Sequence, residues 1–153
     1  SPKLTAEWEN DLTLISRGQK NAEEFLSGIE KMVTKLVSNN GQPVEEYQKL
    51  LIDQAIMECM TNCARHAGGT RVFVKITNNK VLCKVQITNN GKKPAEGSQE
   101  GGGLTSLRKT VEREGGKMQV IFSPEFELIL LLSHEKDREI KSSEEVPVKI
   151  LNS

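Results

Sequence analysis

Glu58-Cys59-Met60-Thr61-Asn62-Cys63-Ala64-Arg65-His66-Ala67-Gly68-Gly69 decides how the rest of this chain is read. On a helix, Glu58 and Asn62 stand one turn apart and Arg65 and His66 follow a turn later. That gathers a carboxylate, a carboxamide and two basic groups along one side. Ile52, Ala55, Ile56, Cys59, Met60 and Cys63 recur at helical spacing and supply an apolar stripe for the core. Carboxylate and amide oxygens suit magnesium, and basic groups suit phosphate. The plainer alternative is a solvated polar face opposite an ordinary buried stripe.

The order of the later pieces favours a pocket. Two β-type runs follow, Arg71 to Ile76 and Val81 to Thr88, then a turn-rich stretch from Asn89 to Gly103 and a helical run to Glu114 that Gly115-Gly116 ends. Phe122-Ser123-Pro124-Glu125-Phe126 reads as a hairpin connection between two further runs. The expected fold class is α/β (α+β), a two-layer sandwich. Its antiparallel or mixed sheet runs over Val72 to Ile76, Leu82 to Thr88, Met118 to Phe122 and Glu127 to Leu132. The backing helices are Glu45 to His66 and Leu104 to Glu114, with the ligand between them and outside the sheet.

Three motifs then come in order: Glu58-x-x-x-Asn62-x-x-Arg65-His66, Ile87-Thr88-Asn89-Asn90-Gly91, and Gly101-Gly102-Gly103-Leu104-Thr105-Ser106-Leu107-Arg108. Together they resemble the N-box and the two glycine boxes of the GHKL-type ATP-binding domain of sensor histidine kinases, over residues 45–133. The resemblance implies ATP and Mg2+ as cofactors. It implies that Asn62 holds the metal and that Glu58 sits beside it as the catalytic group, polarising a water or an acceptor imidazole. By the same resemblance Arg65 or His66 faces phosphate, and Asn89, Gly91, Gly101, Gly102, Gly103 and Leu104 bind the nucleotide. The partners implied are a phosphoacceptor histidine on another domain or chain and a response regulator of two-component signalling. Independently of family, glycines 101 to 103 permit close approach of backbone to ligand, and amides opening the next helix offer partial positive charge to phosphate.

One position departs from the family's pattern. Asn89 stands where an aspartate usually accepts a hydrogen bond from the adenine amino group. A neutral acceptor is weaker than an ionised one, a loss on the order of 1 kcal/mol. Asn89-Asn90-Gly91 also has the composition of a tight turn. The polar segment from Lys92 to Glu100 is expected to form a short lid in which Lys92 or Lys93 reaches phosphate.

Composition bounds the rest. With 153 residues and 36% hydrophobic content, one compact domain with an appendage is expected. Lys plus Arg equals Asp plus Glu at 21 each, so no net basic field argues for nucleic acid. No apolar run has the length of a membrane span, and a cytoplasmic location is expected. Cys59, Cys63 and Cys83 lack metal-site spacing and are expected to be buried, reduced thiols.

Residues 4–38 are charged and read as a helical hairpin, with Trp8, Leu12 and Ile15 on a first helix and Phe25, Ile29, Met32, Val33 and Leu36 on a second. Leu4, Thr5, Glu7, Trp8, Glu9, Gly18, Phe25, Leu26 and Ile29 resemble the C-terminal end of type IA DNA topoisomerases. No histidine occurs in this stretch, so it supplies no phosphoacceptor. Residues 39–44 read as a linker and residues beyond Ser133 as a polar tail. The leading expectation is ATP binding with magnesium for phosphoryl transfer to a histidine elsewhere. Two alternatives stand beside it: a degenerate nucleotide-binding or protein-interaction module without turnover, and a DNA-associated accessory segment.

Overall fold

The computed structural model describes residues 4–11, 27–28, 31 and 44–134. The linker except Val44, the rest of the expected N-terminal hairpin apart from a few residues, and the polar tail except His134 lie outside the described residues. Ser27, Gly28 and Lys31 are helical.

The first element corrects the reading of the N-terminus. Leu4–Asp11 is a strand, β1, rather than the first helix of a hairpin. It pairs antiparallel with β2 (Arg71–Asn78), Leu4 opposite Asn78 and Asp11 opposite Arg71. The physical reason is legible afterwards: Leu4, Ala6 and Trp8 alternate with Thr5, Glu7 and Glu9, which is a period of two. The free edge of β2 offers such a segment a full ladder of backbone partners.

β2 pairs with β3 (Leu82–Asn89), β3 with β5 (Glu127–Ser133) and β5 with β4 (Lys117–Ile121), every pair antiparallel. The five-stranded order is β1-β2-β3-β5-β4. On one face, Val72, Val74, Ile76, Cys83, Val85, Ile87, Leu128, Leu130 and Leu132 are all buried, as alternation along β2, β3 and β5 dictates. Among the described residues two helices cover that face: α1 (Glu46–Asn62) through Leu51, Ile52, Ala55, Ile56 and Cys59, and α2 (Gly102–Arg113) through Leu104, Leu107 and Val111. The coarse expectation of helices layered on one antiparallel sheet therefore holds.

Helix ends fix the direction of each helix. Gln48 is fully buried; its Oε1 accepts from the Glu45 amide at 2.9 Å, and its Nε2 donates to the Ser133 carbonyl at 2.9 Å. This ties the start of α1 to the last residue of β5. At the other helix, the Gly116 amide donates to Val111 and the Gly115 amide to Glu112, with Gly115 at φ 82°. That pair of hydrogen bonds with a left-handed glycine is the Schellman ending, so α2 stops where β4 begins. Consequently the C-terminal end of α1, the end of β3, the N-terminus of α2 and the β4–β5 connection all meet at one end of the sandwich.

The three cysteines are free and buried. Burial pushes the Cys83 thiol up to about 12 and holds Cys59 and Cys63 above their ordinary value, the Gly69 amide opposing the rise at Cys63. We expect iodoacetamide at pH 8 to leave all three unlabelled in the native chain over a time in which it labels all three in denaturant. A folded pKa raised at Cys83 from 9.0 to about 12 means that stability present below pH 9 is lost as pH rises through that window. Alkaline titration of the melting temperature checks it.

Candidate functional site

The end of the sandwich where those four pieces meet holds a cavity of about 840 Å³. Glu58, Asn62, Arg65 and His66 border it from α1 and its continuation, Asn89 from the end of β3, and Gly101 to Leu104 from the start of α2. Of the ten site positions read from the sequence, only Gly91 is not among the lining residues.

The helix carrying the first motif changes pitch as it arrives. After Asn62 it widens into a π-helical turn, Cys63–Ala67, and stops at Gly68 in the left-handed conformation, φ 59°. Such turns break the α-helical phase, so Arg65 and His66 are not placed by simple i, i+3 counting from Asn62. Both are exposed, whereas Glu58 and Asn62 are half-buried.

The glycines divide into three kinds. Gly101 and Gly102 face open space, so a side chain there meets nothing within 4 Å. At Gly103 a Cβ would collide with the Glu58 carboxylate, which rests directly against the helix start. Glu58 and Gly103 also border a second hollow of about 570 Å³ between the outer faces of α1 and α2, so their contact is the wall between the two. Gly91 and Gly69 are packing glycines. A Cβ on Gly69 would stand 2.9 Å from the Gly91 Cα and 2.6 Å from Cys63 Sγ, and one on Gly91 would stand 2.8 Å from the Ala67 carbonyl. Gly91 thus lets the loop after β3 seat against the π-helical turn.

The two asparagines do turn chemistry as the sequence suggested. Asn90 Oδ1 accepts from the Thr70 and Arg71 amides at 2.9 and 2.8 Å, joining the start of β2 to the end of β3. Asn89 Oδ1 accepts the Gly91 amide at 2.8 Å while its side chain borders the cavity. A carbonyl oxygen has two lone pairs, so acceptance from a ligand remains open along the other.

The segment from Lys92 to Glu100 is pinned at both ends. The Lys92 amide donates to the Ala67 carbonyl at 2.8 Å. At the far end Arg108 pairs with Glu100 and donates to the Met118 carbonyl on β4. The Glu100 hydrogen bond raises the Arg108 pKa, so this guanidinium stays charged. Arg108 was no more than the last residue of a motif in the sequence; its place as an anchor of the segment from Lys92 to Glu100 needed the fold to be seen. Between the anchors Lys92, Lys93, Pro94, Ala95, Ser98 and Gln99 border the cavity. We expect Arg108→Ala to leave the fold intact and to raise tryptic cleavage after Lys92 several-fold in a limited-proteolysis time course, since local opening controls access. An unchanged rate would show that the anchor is idle.

Magnesium takes few protein oxygens and completes its octahedron with waters and phosphate. Glu58 and Asn62 offer one carboxylate and one carboxamide oxygen on the same cavity, which fits that demand. Among the described residues no group of three or more His, Cys, Asp or Glu gathers, so an all-protein metal cage is not what these side chains build. Among the described residues, no helix is long and apolar enough to cross a membrane.

No family model matches the chain. The chain is similar to DNA topoisomerase 3 of Staphylococcus saprophyticus subsp. saprophyticus, 32% identical over 82 residues, which is 54% of this chain and 10% of that protein. The chain thus spans about a tenth of the length of the curated relative it matches. These findings correct the first-ranked resemblance. The histidine-kinase assignment has no family match behind it, and the similarity found is to a topoisomerase, the resemblance that the N-terminal residues carried. The physical reason for the misreading is that each short motif has a local cause of its own: Asn89 and Asn90 hold turns, Gly91 and Gly69 make a backbone contact, and Gly101 to Gly103 open a helix.

Proposed function

We propose that residues 44–134 form a nucleotide-binding module that takes a nucleoside polyphosphate with magnesium at the open end of the sandwich and does not turn it over by itself. One observation carries this reading. A single cavity collects the glycine-opened start of α2, the Glu58 and Asn62 oxygens, and the cations of Arg65, Lys92 and Lys93. Helix-start amides and cations suit phosphate oxygens, and the oxygen pair suits the magnesium that accompanies them. Phosphoryl transfer to a histidine is no part of the proposal, because the resemblance that implied it is overturned.

Thermal melting with ATP and magnesium tests it. Ligand at a hundred times its Kd stabilises by about 2.7 kcal/mol, a shift of several degrees for a domain of this size. The expected result is that shift with no ADP released. No shift would contradict nucleotide binding, and steady ADP release would contradict the absence of turnover.

The similarity to DNA topoisomerase 3 favours a second reading, in which the chain is an accessory segment of a DNA-associated protein. The equal counts of acidic and basic residues give that reading no electrostatic help. Fluorescence anisotropy with a labelled single-stranded oligonucleotide distinguishes it: binding that falls steeply with salt supports DNA association, and none at low salt removes it.

A further inference from the structure

The cavity has an aromatic end that the sequence reading treated only as a hairpin connection. Phe122 and Phe126 both border it, half-buried, with ring centroids 5.9 Å apart at 62°, an edge-to-face pair. In that geometry one ring presents its edge to its neighbour, so the two faces of each ring are not both covered by the pair. Their position in the sheet is set by register. Thr88, the last residue of β3 paired with β5, lies opposite Glu127, so Asn89 and Phe126, each one residue further on, come to the same sheet end and both border the cavity. Ile121 lies opposite Glu127 as well, which brings Phe122 to the same sheet end. An aromatic pair and a carboxamide therefore share the cavity whose other walls carry the helix-start amides and the lysines.

We infer that Phe122 and Phe126 form the base-stacking platform of this site, so that the ligand is a nucleotide held at both its base and its phosphates rather than a bare polyphosphate. The inference rests on the nucleotide reading proposed above. Every nucleobase has a π-face, and stacking on an aromatic ring contributes enough to be read in affinity. The Asn89 amide on the same cavity can meet the polar edge of a stacked base, a donor from Nδ2 and an acceptor from the second lone pair of Oδ1.

The test compares calorimetric titrations of ATP and of inorganic tripolyphosphate, each with magnesium, on the full chain and on Phe122→Leu and Phe126→Leu. Leucine keeps most of the apolar volume that packs on the core, and a melting curve verifies each fold. The expected result is that the native chain prefers ATP, and that each leucine variant loses about tenfold in ATP affinity while tripolyphosphate binding stays unchanged. Equal affinity of the native chain for the two probes, or full ATP affinity in both variants, would overturn the platform and leave the phosphate site standing. Failure of both probes to bind would overturn the nucleotide reading and the platform with it.

Discussion

Gly91→Ala is expected to destabilise the domain by roughly 2–3 kcal/mol, the range of an overpacked contact that cannot relax. The added methyl meets the Ala67 side chain and carbonyl and the Asn89 Oδ1 at 3.0 Å, and Gly69 already stands against the Gly91 backbone on the same side. Three of these neighbours are backbone or fixed by hydrogen bonds, because Ala67 accepts from Lys92 and Asn89 accepts from Gly91 itself. No flexible side-chain end is available to swing away. Gly102→Ala is the matched control. A Cβ there meets nothing, and alanine in a helix is favoured over glycine by up to about 1 kcal/mol, so this variant is expected to be neutral or slightly more stable. Urea denaturation of the two variants measures the difference; equal midpoints would show that the Gly69–Gly91 approach is not the tight contact described.

Asn62→Ala is expected to abolish the magnesium dependence of nucleotide binding, with a loss of at least tenfold in affinity in the presence of the metal and little change in its absence. Asn62 offers the only carboxamide on the α1 side of the cavity among the described residues, and Glu58 offers the carboxylate one turn earlier. Removing one oxygen from a site that supplies only two leaves waters and phosphate to hold the ion. Gly103→Ala probes the same pair without touching either side chain. Its methyl displaces the Glu58 carboxylate, the far end of a flexible chain, so binding weakens while the melting temperature holds. A fall in stability with unchanged binding would reverse that assignment.

The layered fold was legible because its signals are local and strong. Alternation marks β2, β3 and β5, helical spacing marks α1, and the Gly115-Gly116 pair marks the end of α2. Leu4–Asp11 was misread because charged, helix-favouring residues interleave with a short period of two, and only the free edge of β2, a non-local feature, decides between them. Most residues of the cavity were named from sequence, since their types are the ones phosphate and magnesium need. Gly91 was assigned to the site through its motif, although what a glycine leaves room for depends on a neighbour distant in sequence, here Ala67 and Gly69. Phe122, Phe126 and Arg108 escaped notice for the same reason: a hairpin aromatic or a helix arginine carries no signal until the strand register shows what it stands beside.

The central claim is that one end of this sandwich binds a nucleotide with magnesium, and isothermal titration of the chain with a non-hydrolysable ATP analogue, with and without the metal, tests it most directly. The account expects a saturable heat at one site per chain, with at least tenfold tighter binding in the presence of magnesium, and that tightening disappears in Asn62→Ala. No heat at millimolar nucleotide in the presence of the metal would contradict it.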